Sequence, residues 1–154
     1  MKQVILIILS MWLMSCNNQQ EKTNKGIVQV QSMNQPSRSI SDLKSLVLAK
    51  GDIQAYDELR IAYLDEPYSE EFLLYAMIMA NRFNYPQAYF DVYNCFVNVF
   101  YSDITKIDEN SSKIAIDYLI KAAQKGHEQA QEMVKEYSIN SKITDYKALV
   151  IKVN

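Results

Sequence analysis

The sequence predicts an all-α protein, a short α-solenoid of about three helix-turn-helix pairs. Three observations carry that expectation. The 154 residues include only three glycines and three prolines, too few for the turns of a β-sandwich, so helices joined by short links are expected. From Ile40 onward, apolar residues recur at helical spacing. Finally, Lys50-Gly51, Gln54 and Ala55 return as Lys125-Gly126, Gln129 and Ala130. The identical displacement of every one of these residues marks an internal repeat.

Leu43, Leu46 and Val47 place one apolar face on the first helix. Asp42 or Ser41 is expected to cap its start. Gly51 can take the left-handed conformation that ends a helix, and Asp52 can cap the next. Ala55, Leu59, Ala62 and Tyr63 form the second stripe, which Asp65-Glu66-Pro67 should stop. Ser69 opens a third helix with Glu70 and Glu71 in its first turn, where the helix dipole favours negative charge. The run from Phe72 to Ala80, FLLYAMIMA, is apolar all round and is therefore expected to be the central helix.

Pro86 suits the first turn of a fourth helix, striped by Tyr89, Tyr93, Phe96 and Phe100. Ser102 to Ser112 reads as a polar loop. A fifth helix carries Ile116, Leu119, Ile120 and Ala123 and ends at Gly126. A sixth carries Ala130, Met133, Val134 and Tyr137. The segment from Ile143 to Val153 fits either a short capping helix or an extended strand.

Gln87-Ala88 supplies a third copy of the repeat, without the glycine. The alanines at 55, 88 and 130 are then separated by 33 and 42 residues, within the range of helix-pair repeats, with the polar loop accounting for the longer interval. Ala115 to Tyr137, AIDYLIKAAQKGHEQAQEMVKEY, resembles the Sel-one-like class of tetratricopeptide-like repeats. Tyr118, Ala122-Ala123, Gly126, His127 and Ala130 fill its characteristic positions. The resemblance implies stacked helix pairs in which Gly51, Ala55, Ala88, Ala122, Ala123, Gly126, His127 and Ala130 have structural roles. Small alanines permit close helix approach, glycine makes the reversal, and each pair shares its core with its neighbour.

The N-terminus reads as an address. Lys2 precedes an apolar run from Val4 to Met14, which falls short of the roughly 20 residues a spanning helix needs. Leu13, Ser15 and Cys16 resemble the bacterial lipoprotein signal. The resemblance implies cleavage before Cys16, a diacylglycerol thioether on its sulfur and an acylated new amino terminus. Several acyl chains, at about 0.8 kcal/mol per buried methylene, anchor firmly. Asn17 in place of aspartate points to the outer membrane, facing the periplasm. The expected organisation is therefore a signal peptide (1–15), a lipidated and polar tether (16–39), a helical repeat domain (40–140) and a C-terminal capping segment (141–154).

No residue pattern calls for chemistry. The net charge is −2, and cleavage removes only Lys2, leaving 15 basic side chains against 18 acidic. That balance argues against tracking a phosphate backbone. His127 is the sole histidine and starts a helix, which suits a neutral capping ring and not a metal centre. With Cys16 acylated, Cys95 is the one remaining thiol, set among aromatic neighbours and expected to be packed and inert. Glu70-Glu71 and Asp108-Glu109 are adjacent in sequence and so do not face each other on a helix. Catalytic residues, metal, cofactor, small-molecule substrate and nucleic acid are accordingly not expected.

The eleven tyrosines are more than a small core needs. Tyr56, Tyr63, Tyr89 and Tyr93 are the candidate partner-binding residues, because tyrosine suits a surface apolar on its body and polar at its tip. The function expected is a membrane-anchored envelope module that binds another protein. An immunity protein against a periplasm-acting toxin, or a structural accessory of an outer-membrane complex, are the alternatives.

Overall fold

Residues 36–63, 70–139, 143 and 145–154 are described in the computed structural model. Leu13, Ser15 and Cys16, the expected leader and most of the tether lie outside them, as do Asp65–Pro67 and Ser69. The first helix, α1, spans Ile40–Lys50. Its cap is Ser39, not Ser41 or Asp42: the extended Ser39 accepts from the Asp42 N–H at 3.1 Å, and its hydroxyl donates to the Asp42 carboxylate at 2.6 Å. A serine with an acidic residue three positions later makes this reciprocal start, so Asp42 falls inside the first turn.

Helix α2 spans Ile53–Ala62, α3 Glu70–Phe83 and α4 Pro86–Asn98. A 3-10 turn, Ile104–Lys106, precedes α5, Glu109–Gln124, then α6, Glu128–Glu136, and α7, Tyr146–Val153. The polar segment from Ser102 is thus only partly a loop. Asp103 accepts from Thr105 N–H and Asp108 from Ser111 N–H, so short polar side chains start a 3-10 turn and then α5. The segment left open at the C-terminus is a helix. Asp145 caps it, and the Glu109 carboxylate accepts from the Tyr146 and Lys147 N–H groups at 3.1 Å each, tying its start to that of α5.

The described residues form an all-α, solenoid-like stack: α1/α2, α3/α4 and α5/α6 are hairpins, and α7 covers α5. The repeat has one strict register. The second helix of each pair begins at Asp52, Tyr85 or His127, and Ala55, Ala88 or Ala130 follows three positions later, fully buried each time. The residue before each start has positive φ: Gly51 at 62°, Asn84 at 56° and Gly126 at 95°. The second copy therefore keeps the left-handed turn without glycine, because asparagine tolerates that region better than other side chains.

The central helix is α4, not the apolar run of α3. Eight α4 residues are buried, Ala88 to Tyr93, Cys95 and Val97, and α4 packs on both α3 and α5. In α3, Phe72, Ala76, Met79 and Ala80 face inward while Leu74 and Met77 are exposed. An apolar sequence all round did not mean burial all round.

Candidate functional site

The first helices of the pairs are bridged by side chains. Lys44 of α1 pairs with Glu71 of α3, and Arg82 of α3 donates to the Leu48 carbonyl at 3.2 Å. Asn81 of α3 donates to the Tyr118 hydroxyl of α5 at 2.7 Å. These contacts orient the outward side of the layer. Leu74 and Met77 are one helical step apart on α3, and Ile114 lies one turn before Tyr118 on α5. Leu48 (39% exposed), Leu74 (53%), Met77 (37%) and Ile114 (40%) thus cross three helices. A row of large exposed apolar side chains framed by polar ones is the usual mark of a protein-binding face.

Arg82 and Lys121 frame that row. Arg82 lies over the Phe83 ring and Lys121 over the Tyr118 ring, at 5.0 and 5.2 Å from the ring centroids. Among the described residues neither forms an ion pair. Among the second helices, α6 exposes Glu128, Glu132 and Glu136 and no large apolar side chain, whereas α2 exposes Ile53 and Ile61.

The tyrosines do not form the surface the sequence suggested. Tyr56, Tyr89 and Tyr93 are buried, which removes them as partner-binding residues; Tyr63 is half-buried. Their rings fill the spaces between helices. Tyr56 stacks on Phe72 and meets Tyr85 edge-on, Tyr63 tilts against Phe72, and Tyr89 against Tyr118. Their hydroxyls are bonded: Tyr56 to Asp91, Tyr63 to Glu71, Tyr89 to Asn84 and Tyr93 with Asn154. These four tyrosines therefore cement helix contacts, because each ring is apolar and each tip finds a partner.

Cys95 is buried, and burial, followed by the charge of Asp91, pushes its thiol up to about 12. Its thiolate is scarce at any physiological pH, and its sulfur is out of reach of substrate. The His127 ring is engaged as the N-cap of α6, its Nδ1 accepting from Ala130 N–H at 3.2 Å. Burial, then the nearby Arg60, lowers its pKa. Ala55, Ala88, Ala122, Ala123 and Ala130 are all buried at helix contacts. No group of metal-ligating side chains occurs among the described residues.

Asp91, the buried carboxylate on α4, escaped sequence reading. Burial raises its pKa, opposed by hydrogen bonds from Tyr56 and Gln87. A lone aspartate in an aromatic helix was the only available signal. An open cleft of about 530 Å³ lies at the end of α4, lined by Val97, Phe100, Tyr101, Asp103 and Asn154. A second, of about 400 Å³, lies between Tyr85-Gln87 and the α5–α6 turn. Among the described residues no helix is long and apolar enough to cross a membrane. No protein-family model matches the chain, and neither do the curated proteins or the solved structures.

Proposed function

We propose that the chain is an envelope lipoprotein, anchored through acyl chains on Cys16, whose helix-pair stack binds another protein. The observation that carries this reading is the row Leu48, Leu74, Met77 and Ile114, exposed across three neighbouring helices. Such side chains lose water only when a partner covers them, and burying each fully contributes about 1.5–3 kcal/mol. The helical backbone beneath is already ordered, which limits the ordering cost of binding. The committed states of Cys95 and His127 support recognition over catalysis: one is a buried thiol, the other a helix cap. The resemblance of Ala115–Tyr137 to Sel-one-like repeats agrees with this role, and the lipoprotein-like signal supports an outer-membrane, periplasm-facing location.

The test has two arms. Cys16→Ser is expected to abolish labelling by a fatty-acid probe and to release the protein from the membrane fraction; labelling that persists would refute the anchor. Photo-crosslinkers at Leu74 and Ile114 are expected to trap one discrete partner in cells, and at exposed Glu132 of α6 none. Equal trapping at both faces would refute the binding surface without touching the anchor.

A further inference from the structure

The second helices of the three pairs are joined from inside by one chain of side chains. The Tyr56 hydroxyl of α2 donates to Asp91 Oδ2 of α4 at 2.7 Å. Gln87 Nε2 donates to Asp91 Oδ1 at 2.9 Å, and Gln87 Oε1 faces His127 Nε2 at 3.1 Å. His127 Nδ1 accepts from Ala130 N–H at 3.2 Å. These contacts dictate where each proton sits. Nδ1 accepts, so the neutral ring carries its proton on Nε2. That N–H meets the Gln87 oxygen, which turns the Gln87 amide donor toward Asp91. Every bond then points toward an ionised Asp91, and the link to Ala130 closes only with a neutral imidazole.

We propose that the N-cap of α6 is a proton-operated latch, closed by neutral His127 while its Nε2–H is held by Gln87 of α4, and opened at the first turn of α6 when the ring is protonated. An imidazolium donates from both nitrogens, so Nδ1–H would confront the Ala130 N–H and the cap would be lost. The groups around the ring oppose its charge on balance. Arg60 approaches from α2, its Nε buried without a hydrogen-bond partner. From α4, Phe90 stacks on the ring with centroids 4.3 Å apart, and Asp91 stands one amide away. Glu128, exposed on α6 itself, favours protonation, as does the more remote Asp91 carboxylate across the Gln87 amide. Tyr85, at the lip of the cleft, spends its hydroxyl on Asp57. The ring borders this open cleft, so protons reach it without unfolding.

The sign follows from the lowered pKa. The latch is intact above the ordinary histidine value, about 6.5, and is lost as pH falls through the depressed value in the fold. Asp91, with its raised pKa, acts in the opposite sense. Amide hydrogen exchange by NMR on the full-length chain in detergent micelles tests the latch. The protection factor of Ala130 should fall about five- to tenfold from pH 7.5 to 5.0, the size of a lost helix cap. His127→Asn, a cap that cannot titrate, should hold it constant. A flat wild-type profile, or an equal fall in His127→Asn, would overturn the proposal. So would a ring found by nitrogen chemical shifts to carry its neutral proton on Nδ1, a measurement that needs no variant.

Discussion

The ring of Phe83 fills the space that a side chain at Gly51 would need: an ideal Cβ there falls 2.3 Å from both Phe83 Cδ1 and Cγ. The end of α3 thus closes over the turn between α1 and α2, so the first two pairs meet through a glycine and an aromatic ring. Gly51→Ala must strain a left-handed residue and displace that ring. We expect a loss of about 2–4 kcal/mol by urea unfolding, the sum of the two effects. Gly126→Ala meets nothing within 4 Å. It should lose only the conformational part, about 1 kcal/mol. Equal costs at the two glycines would show that the Phe83 contact is not a constraint.

Asn84 occupies in the α3–α4 turn the place that Gly51 and Gly126 hold in the others. Asn84→Gly should leave stability within about 0.5 kcal/mol, since it relieves the backbone while giving up a 3.3 Å bond from the Tyr89 hydroxyl. Asn84→Ala, which keeps the strain and loses the bond, should cost about 1 kcal/mol. Thermal melts of the two variants check this. An alanine variant as stable as the glycine one would contradict a shared turn geometry.

Cys95 should resist thiol reagents until the chain unfolds. With its pKa pushed up to about 12 by burial, roughly one thiol in ten thousand is ionised at pH 8. Modification by a disulfide reagent should therefore be at least about a hundredfold slower in the native protein than in urea. Rapid native labelling located at Cys95 by peptide mapping would place the thiol at the surface.

The architecture was legible because helix stripes, caps and the Gln-Ala repeat are local signals. Gly51, Asp52, Gly126 and the buried alanines occupy the positions that pattern assigned them. What the sequence hid was decided by partners far along the chain. Leu74 and Phe72 sit two residues apart in one apolar run, and only the placement of α1 and α5 determines which of them faces water. Tyr56 looked like a surface residue because nothing near it in sequence announces Asp91, thirty-five positions away, as the partner of its hydroxyl. The exposed row went unread for the same reason: its members belong to three helices and share no local motif.

The bond from Tyr56 to Asp91 gives a prediction with a pH signature. Burial raises the Asp91 pKa, and the hydrogen bonds from Tyr56 and Gln87 hold it down. Tyr56→Phe removes one of those donors while preserving the ring that packs on Phe72 and Tyr85. At pH 7 the buried carboxylate is left short of a partner, which should cost about 1–3 kcal/mol. A raised folded-state pKa means that the folded form binds more protons than the unfolded one. Stability is then lost as pH rises from the unfolded value, about 3.9, through the folded one. The variant raises the folded value further, so its deficit should be largest at pH 7 and shrink toward pH 4, where the acid takes up its proton. Urea titrations of both proteins at the two pH values measure this difference. A deficit unchanged between pH 7 and pH 4 would mean that the hydroxyl contributes only its shape, and that Asp91 is held by Gln87 alone.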